Sequence, residues 1–188
     1  MEDIQRCFGT GDPLMEKYHD EEWGVPVHDD RLLFEHLLLD SFQAGLSWRT
    51  VLHKRENFRS AFHGFDPERI AKYNDRDRAR LLADAGIIRN KLKINAAITN
   101  AQAYLDIVDR SGSFADFLWS FTEGKTFKGP LAKTWQDIPT TNLQSEMMSK
   151  ALKAEGFKFV GDTICYAFMQ AVGIIDDHLV DCFRFSGR

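Results

Sequence analysis

"GFKFVGDTICYAFMQAVG", residues 156–173, is the stretch on which the reading of this chain turns. Gly156 and Gly161 bracket Phe157 and Val160, with Lys158 between those two anchors. Glycine permits tight turning and lets another backbone approach closely. Before the corner, Leu143, Met147, Met148, Ala151 and Leu152 have helical spacing, and a second helix begins at Asp162 and runs to about Gly173. Taken alone, such a corner is first of all a helix stop at a glycine. Its other use is to grip an anion. The second helix offers free N–H groups and the positive end of its dipole, and Lys150, Lys153 and Lys158 add charge nearby.

Outward from the corner the helical period continues. Asp30 is placed to cap a helix through about Phe42, with Leu33, Leu37, Asp40 and Ala44 on one stripe. Asp66 followed by Pro67 opens another helix, and "NDRDRARLLADAG" gives a short one stopped by Gly86. Ile94, Ala97, Ile98, Ala101, Tyr104, Leu105 and Val108 keep the period through a long central segment. "SFADFLWSF" is a further short helix, and "GKTFKGPLAKTWQDIPTT" reads as a loop-rich insertion. No alternating strand pattern, repeat or low-complexity linker appears. The expectation is an all-α chain, one domain over residues 1–188.

Composition agrees with a folded unit. Hydrophobic residues make up 44% and charged residues 28% of 188, the mix of an ordinary globular protein. No apolar run approaches the roughly 18–20 residues a membrane span needs. "MEDIQRCFG" lacks the apolar core of a secretory signal, so a cytoplasmic protein without a membrane partner is expected. Three cysteines, an odd number, argue against a disulfide framework there. The net charge of −4 does not announce a nucleic-acid binder, yet "WRTVLHKRENFR" and "IIRNKLKI" are locally basic. A small basic face on an acidic body stays open.

Two local features ask for chemistry. In "DSFQAGLSW" (40–48) an apolar helix meets a carboxylate, then small residues, then Trp48. By spacing alone Asp40 is a solvated helix residue and the neighbouring aromatics are core. His178 and Cys182 stand at i and i+4, on one face of a helical turn; by itself such a pair is weak evidence for a metal. Cys165 reads most simply as a packed thiol.

Several stretches together resemble one family. "YHDEEWGVP" (18–26), "QAGLSW" (43–48), "VLHKRENFR" (51–59), "DAGIIRNKLKI" (84–94) and residues 156–173 are similar, in this order, to the 3-methyladenine DNA glycosylase I family of the helix-hairpin-helix DNA glycosylases. The resemblance implies a helix-hairpin-helix glycosylase fold with a helical lobe from the central segment. A second lobe would form from the N- and C-terminal segments, which a zinc site joins. It implies a monomer acting on double-stranded DNA that contains alkylated bases. It also implies hydrolysis of the N-glycosidic bond of alkylated purines, chiefly 3-methyladenine, to begin base excision repair. The target base must be flipped into a pocket. An alkylated adenine is cationic, so aromatic faces and a carboxylate suit it.

Carried over residue by residue, the resemblance makes Asp40 the base-reading acid, with Phe8, Tyr18, Trp23 and Trp48 around the base. The hairpin residues Lys158, Phe159, Val160 and Gly161 would face DNA, with backbone amides holding a phosphate. Gln43 would fill the gap left by the flipped base and Leu46 would wedge the stack. Thr163 stands where bifunctional relatives carry a lysine nucleophile, so hydrolysis without strand cleavage is expected. Asp176, where the family is expected to carry asparagine, either stabilises the cationic sugar or caps the last helix. Cys7, His19, His178 and Cys182 would hold one structural zinc.

Besides Asp176, three positions depart from the family. Asp40 replaces its usual glutamate, Met15 stands where members can carry a tyrosine, and Phe8 replaces a tryptophan. The shorter acid keeps a second function in view, that of a weak glycosylase-like protein binding damaged DNA without excision. A zinc-stapled interaction module would leave "QAGLSW" and the hairpin unexplained.

Overall fold

The computed structural model describes residues 4–187, and its regular secondary structure is almost wholly helical. Ten α-helices follow one another: α1 (Pro13–Glu21), α2 (Asp30–Gln43), α3 (Trp48–Leu52), α4 (Arg55–Ala61), α5 (Pro67–Ile70), α6 (Asp75–Ala83), α7 (Lys91–Ser111), α8 (Phe114–Trp119), α9 (Leu143–Ala154) and α10 (Asp162–Ala171).

The expected stripe on α2 is not what the structure shows. Every residue from Leu33 to Phe42 is buried, so α2 is a central helix with no solvent face over that span. Its cap also differs. Asp29 is the N-cap, accepting from the Leu32 amide at 2.8 Å. Asp30 instead reaches across to the start of α8, accepting from the amides of Phe114 (3.0 Å) and Ala115 (2.7 Å). One aspartate pair thus starts two helices that are 84 residues apart in sequence. Asp66 and Pro67 open α5 as their chemistry predicts. The helix expected to stop at Gly86 ends at Ala83, because Asp84 leaves helical geometry and accepts from the Gly86 amide at 2.7 Å.

Around α2 pack α3, α7, α8 and α10, while α7 also carries α5 and α6. Helices α1, α3 and α4, of nine, five and seven residues, lie outside the segments expected to be helical. Two apolar clusters result. The larger surrounds α2 and α7. The smaller, built from Cys7, Tyr18, Trp23, Leu52, Ala171 and Cys182, is where the N- and C-terminal segments meet. A two-residue parallel pair, β1 (Phe127–Lys128) with β2 (Ile175–Asp176), ties the insertion to the segment after α10. A ladder this short has no sequence period, so it could not be anticipated. No helix among the described residues is long and apolar enough to cross a membrane.

Much of the expected basic face is occupied internally. Lys54 Nζ donates to the carbonyls of Ala85 and Gly86, Arg55 forks onto Glu22, and Arg59 pairs with Glu35. Lys93 is buried, and its Nζ closes the end of α2 by donating to Phe42 O (2.8 Å) and Ala44 O (2.5 Å). Cations near a helix C-terminus complement its dipole, so Lys93 holds the turn from α2 into α3.

Candidate active site

A cavity of about 270 Å³ opens between the ends of α1, α2, α3 and α10. α2 delivers Asp40 to its wall one turn before the helix ends, with Gln43 beside it. Tyr18 comes from α1, Trp23 from the segment after it, Trp48 from the first turn of α3, and Phe8 from the N-terminal segment. The rings form a connected wall. Tyr18 and Trp48 lie 5.2 Å apart, and Phe8 meets Trp23 edge-on at 5.2 Å. All five sequence-derived base-pocket residues therefore line one cavity, as does Met15.

Asp40 is the most unusual of them. It is 2% exposed, and its Oδ2 has no hydrogen-bond partner among the described residues. Burial, with no compensating cation, pushes its carboxyl well above the usual carboxylate range. The Tyr18 phenol is raised as well, by burial first and then by Asp40. Trp48 Nε1 is a second buried polar atom on this cavity without a partner. An unsatisfied buried acid costs the fold about 1–3 kcal/mol, and such a cost marks a candidate functional group.

Four wall residues, Trp135, Ala167, Gln170 and Ala171, were missed by sequence reasoning. Trp135, from the loop-rich insertion, stands 6.1 Å from both Phe8 and Trp23 and donates from Nε1 to Cys7 O at 2.9 Å. A tryptophan in a polar loop was the one available hint. Ala167, Gln170 and Ala171 of α10 have no distinguishing local signal.

The corner after α9 lies beside α2. Ser41 Oγ donates to Phe159 O (3.2 Å), and buried Asn100 clasps Lys158 through both backbone groups, at 3.0 and 2.7 Å. Ser149 Oγ takes Val160 O at 2.7 Å. Phe157 and Val160 have their side chains in the core, while Lys158 and Phe159 face outward. Phe159 adopts a left-handed φ of 56°, which is uncommon for a residue with a Cβ. The corner's carbonyls are thus held from inside. Among the described residues no protein acceptor meets the amides of Phe159, Val160, Gly161 and Thr163, the last of which sits exposed in the first turn of α10. Leu46 is 43% exposed on the turn after α2, where Gly45 supplies a φ of 77°. Cys165 is fully buried, as expected of a packed thiol.

At the chain ends Cys7, His19 and Cys182 bring their ligand atoms within 4.8 Å of one another, all buried, a group able to hold a metal. His19 accepts the Cys7 amide at Nε2 (3.2 Å), so its proton lies on Nδ1, which faces Asp20 at 2.8 Å. The His178 ring stands 5.6 Å from that of His19, outside the three-residue group. Its Nδ1 meets Asp176 Oδ1 at 2.8 Å and its buried Nε2 has no partner. The helical turn expected for His178 and Cys182 is absent. Residues 180–184 form turns instead, with Val180 N donating to Ala132 O and Phe183 N to Gln5 O.

Asp176 is not brought to the cavity. Its carboxylate takes His178, Lys128 Nζ (2.6 Å) and Ser186 Oγ (3.0 Å). Burial would raise it, but these bonds outweigh burial and hold it well below the usual carboxylate range. Nor does it cap a helix, since it lies in β2 and turns follow.

Comparison with known proteins matches this arrangement. The family model described as methyladenine glycosylase matches residues 8–185. The DNA-3-methyladenine glycosylase 1 of Escherichia coli is 50% identical over 186 residues, spanning 98% of this chain and 99% of that protein. A crystal structure of 3-methyladenine DNA glycosylase I superposes with a TM-score of 0.93 at 52% identity, covering 96% of this chain and 99% of that one. The Staphylococcus aureus 3-methyladenine DNA glycosylase I, in a structure described as the basis of its 3-methyladenine recognition, gives 0.89 at 40% identity over 94% and 93%.

Proposed function

The chain belongs to the methyladenine glycosylase family, and on that premise we propose that it hydrolyses the N-glycosidic bond of alkylated purines, chiefly 3-methyladenine, in duplex DNA. The observation that carries this is the buried Asp40 carboxyl on an aromatic wall, whose Oδ2 has no partner among the described residues. A flipped cationic purine stacks on these rings, and its charge supplies the partner that Asp40 lacks in the free protein. The carboxyl then ionises and stabilises positive charge where the reaction needs it. The C1′–N bond breaks with its electron pair leaving on the base, which departs neutral. Water adds to the oxocarbenium-like sugar and gives up a proton. Little general-acid assistance is required because the leaving group is already cationic. Thr163 offers no amine, so no covalent enzyme–sugar adduct forms and the strand is not cut.

The corner supplies the grip on the strand. Its unclaimed amides and the start of α10 suit a phosphate, with Lys158 adjacent. Lys158→Ala is expected to weaken binding of undamaged and damaged duplex alike and to reduce the salt slope of log Kd by about 1. An unchanged slope in a fluorescence-anisotropy salt series removes Lys158 from the interface. Gln43 on the cavity rim and exposed Leu46 are placed to enter the stack as the base leaves.

The residues at the chain ends fit a zinc. His19 and His178 both turn Nδ1 to a carboxylate, the outer-shell pattern of metal-bound histidines; His178 Nε2 has no partner among the described residues, and His19 Nε2, which accepts the Cys7 amide, would exchange that bond for the metal. Burial keeps His19 neutral and pushes the Cys7 thiol upward. Cys7, His19, His178 and Cys182 would hold the ion as a closed four-ligand set, which supplies a structural cross-link and no open position. Asp176 then acts by orienting His178.

Base-release chromatography on methylated DNA tests the activity, comparing wild type with Asp40→Glu. Release of 3-methyladenine by both proteins is expected. DNA binding without release by the wild type would favour the damage-binding reading instead.

A further inference from the structure

We propose that Gln170 determines base specificity, presenting its Oε1 to the cavity as a hydrogen-bond acceptor for the 6-amino group of an adenine, with Asp177 and Tyr166 fixing that orientation. The inference rests on the alkylpurine reading and deepens it.

Gln170 lies in the last turn of α10 and lines the cavity. Its Nε2 donates to Asp177 Oδ2 at 2.8 Å, and the Tyr166 hydroxyl donates to the same oxygen at 2.6 Å. A carboxylate oxygen facing two donors admits only one orientation of the glutamine amide, N toward Asp177 and O away. Among the described residues no protein donor meets Gln170 Oε1, and that atom is not among the fully enclosed polar atoms without partners. Its open side is therefore the cavity. The main chain at 170 is held too, because Gly24 N donates to Gln170 O at 3.0 Å. Asp177 is 1% exposed and packs so closely on Gly129 that a Cβ there would come within 1.6 Å of its Oδ1. Burial and then Asp177 push the Tyr166 phenol upward, so it stays a donor. The amide cannot rotate without leaving a buried carboxylate short of a donor.

A fixed acceptor discriminates by chemistry. An adenine offers N6–H there, whereas a guanine offers its O6, and two lone-pair-bearing oxygens then face each other across a dry site. A site built to accept a hydrogen bond rejects a group that cannot donate one more strongly than an apolar pocket rejects a shape. Asp40 answers to the charge that alkylated adenine and guanine share; Gln170 answers to the edge that separates them. Asp177 is a positioning residue, since it reaches the base only through Gln170.

The test measures kcat/KM for release of 3-methyladenine and of 3-methylguanine from the same methylated duplex. Gln170→Leu is expected to lower the 3-methyladenine value by about 10- to 100-fold. The 3-methylguanine value should stay within about 3-fold, so the preference collapses. An equal fall on both bases, or no change, overturns the assignment. The paired substitution Gln170→Glu with Asp177→Asn keeps an oxygen toward the cavity by reversing donor and acceptor, and should restore the preference. Failure to restore it in a folded protein also counts against the proposal. Quenching of tryptophan fluorescence by the two free bases reads the same preference without turnover. Equal affinities in the wild type overturn the proposal even where excision is intact, and absent excision with unequal affinities refutes only the enzymatic reading.

Discussion

Asp40→Asn is expected to lower 3-methyladenine release by about 10²–10³-fold, the cost of removing one preorganised charge-stabilising group, while making the fold more stable at neutral pH. Both effects have one origin. Asp40 is enclosed, its Oδ2 has no partner among the described residues, and burial alone raises its carboxyl. An acid whose folded-state pKa exceeds its unfolded value costs stability as pH rises from the unfolded value through the folded one. Below about pH 4 both states hold the proton and the penalty is absent; it grows as pH rises from there toward neutral. Asparagine cannot ionise, but it still leaves a polar amide enclosed, so the gain is on the order of 1 kcal/mol. That corresponds to about 2–4 °C in Tm for a chain of this size. Melting curves of the two proteins should therefore separate at neutral pH and converge near the acid end. Unaltered base release by the variant would take Asp40 out of the chemistry; a lower Tm at neutral pH would mean that its carboxyl already has a partner. The same linkage predicts that affinity for duplex carrying a cationic base rises with pH until Asp40 ionises unaided, and then levels.

Stripping the metal should be the most damaging perturbation of stability. Purified protein is expected to contain about one equivalent of zinc. Removing it, or replacing a ligand by Cys182→Ser, should cost more than about 4 kcal/mol, the range reserved for losses such as a structural metal. For a chain of this length that is a Tm drop on the order of 10 °C. The small cluster at the chain ends has only six buried residues, two of them the proposed ligands Cys7 and Cys182, so the cross-link would reinforce a small core there. Activity should fall with it. Phe8 follows Cys7, Tyr18 precedes His19, and the Trp135 indole is anchored on Cys7 O, so three cavity walls hang from the ligand residues. A metal-free preparation whose Tm ignores chelator would refute the ligand set.

The long central helix and the six other predicted helices have their causes in local sequence: spacing, caps and glycine stops. What local reasoning misjudged followed from packing. Asp30 had the chemistry of a cap, but it caps a helix 84 residues away, and no sequence window contains both ends. Lys93 sits in a locally basic run that left a basic face open, yet its stem lies buried and its ammonium closes α2. Asp176 was weighed as a catalyst because of its place after the second hairpin helix. The chain at 178 instead aims His178 back at it, and Lys128 arrives from the insertion to complete its partners.

The carboxyl and rings of the pocket were named by the family resemblance; by itself the sequence determined that this chain is helical and that a glycine-bracketed corner joins two of its helices. Those properties reside in the spacing of side chains along a few turns. Only the tertiary structure decided that Asp40 is sealed among aromatic rings without a partner, that Trp135 completes their wall, and that Gln170 shows the cavity one atom of its amide and not the other. Burial and amide orientation are set by residues far away in sequence, and the hydrogen bond from Gln170 to Asp177 exists only once α10 and the segment beyond β2 have met.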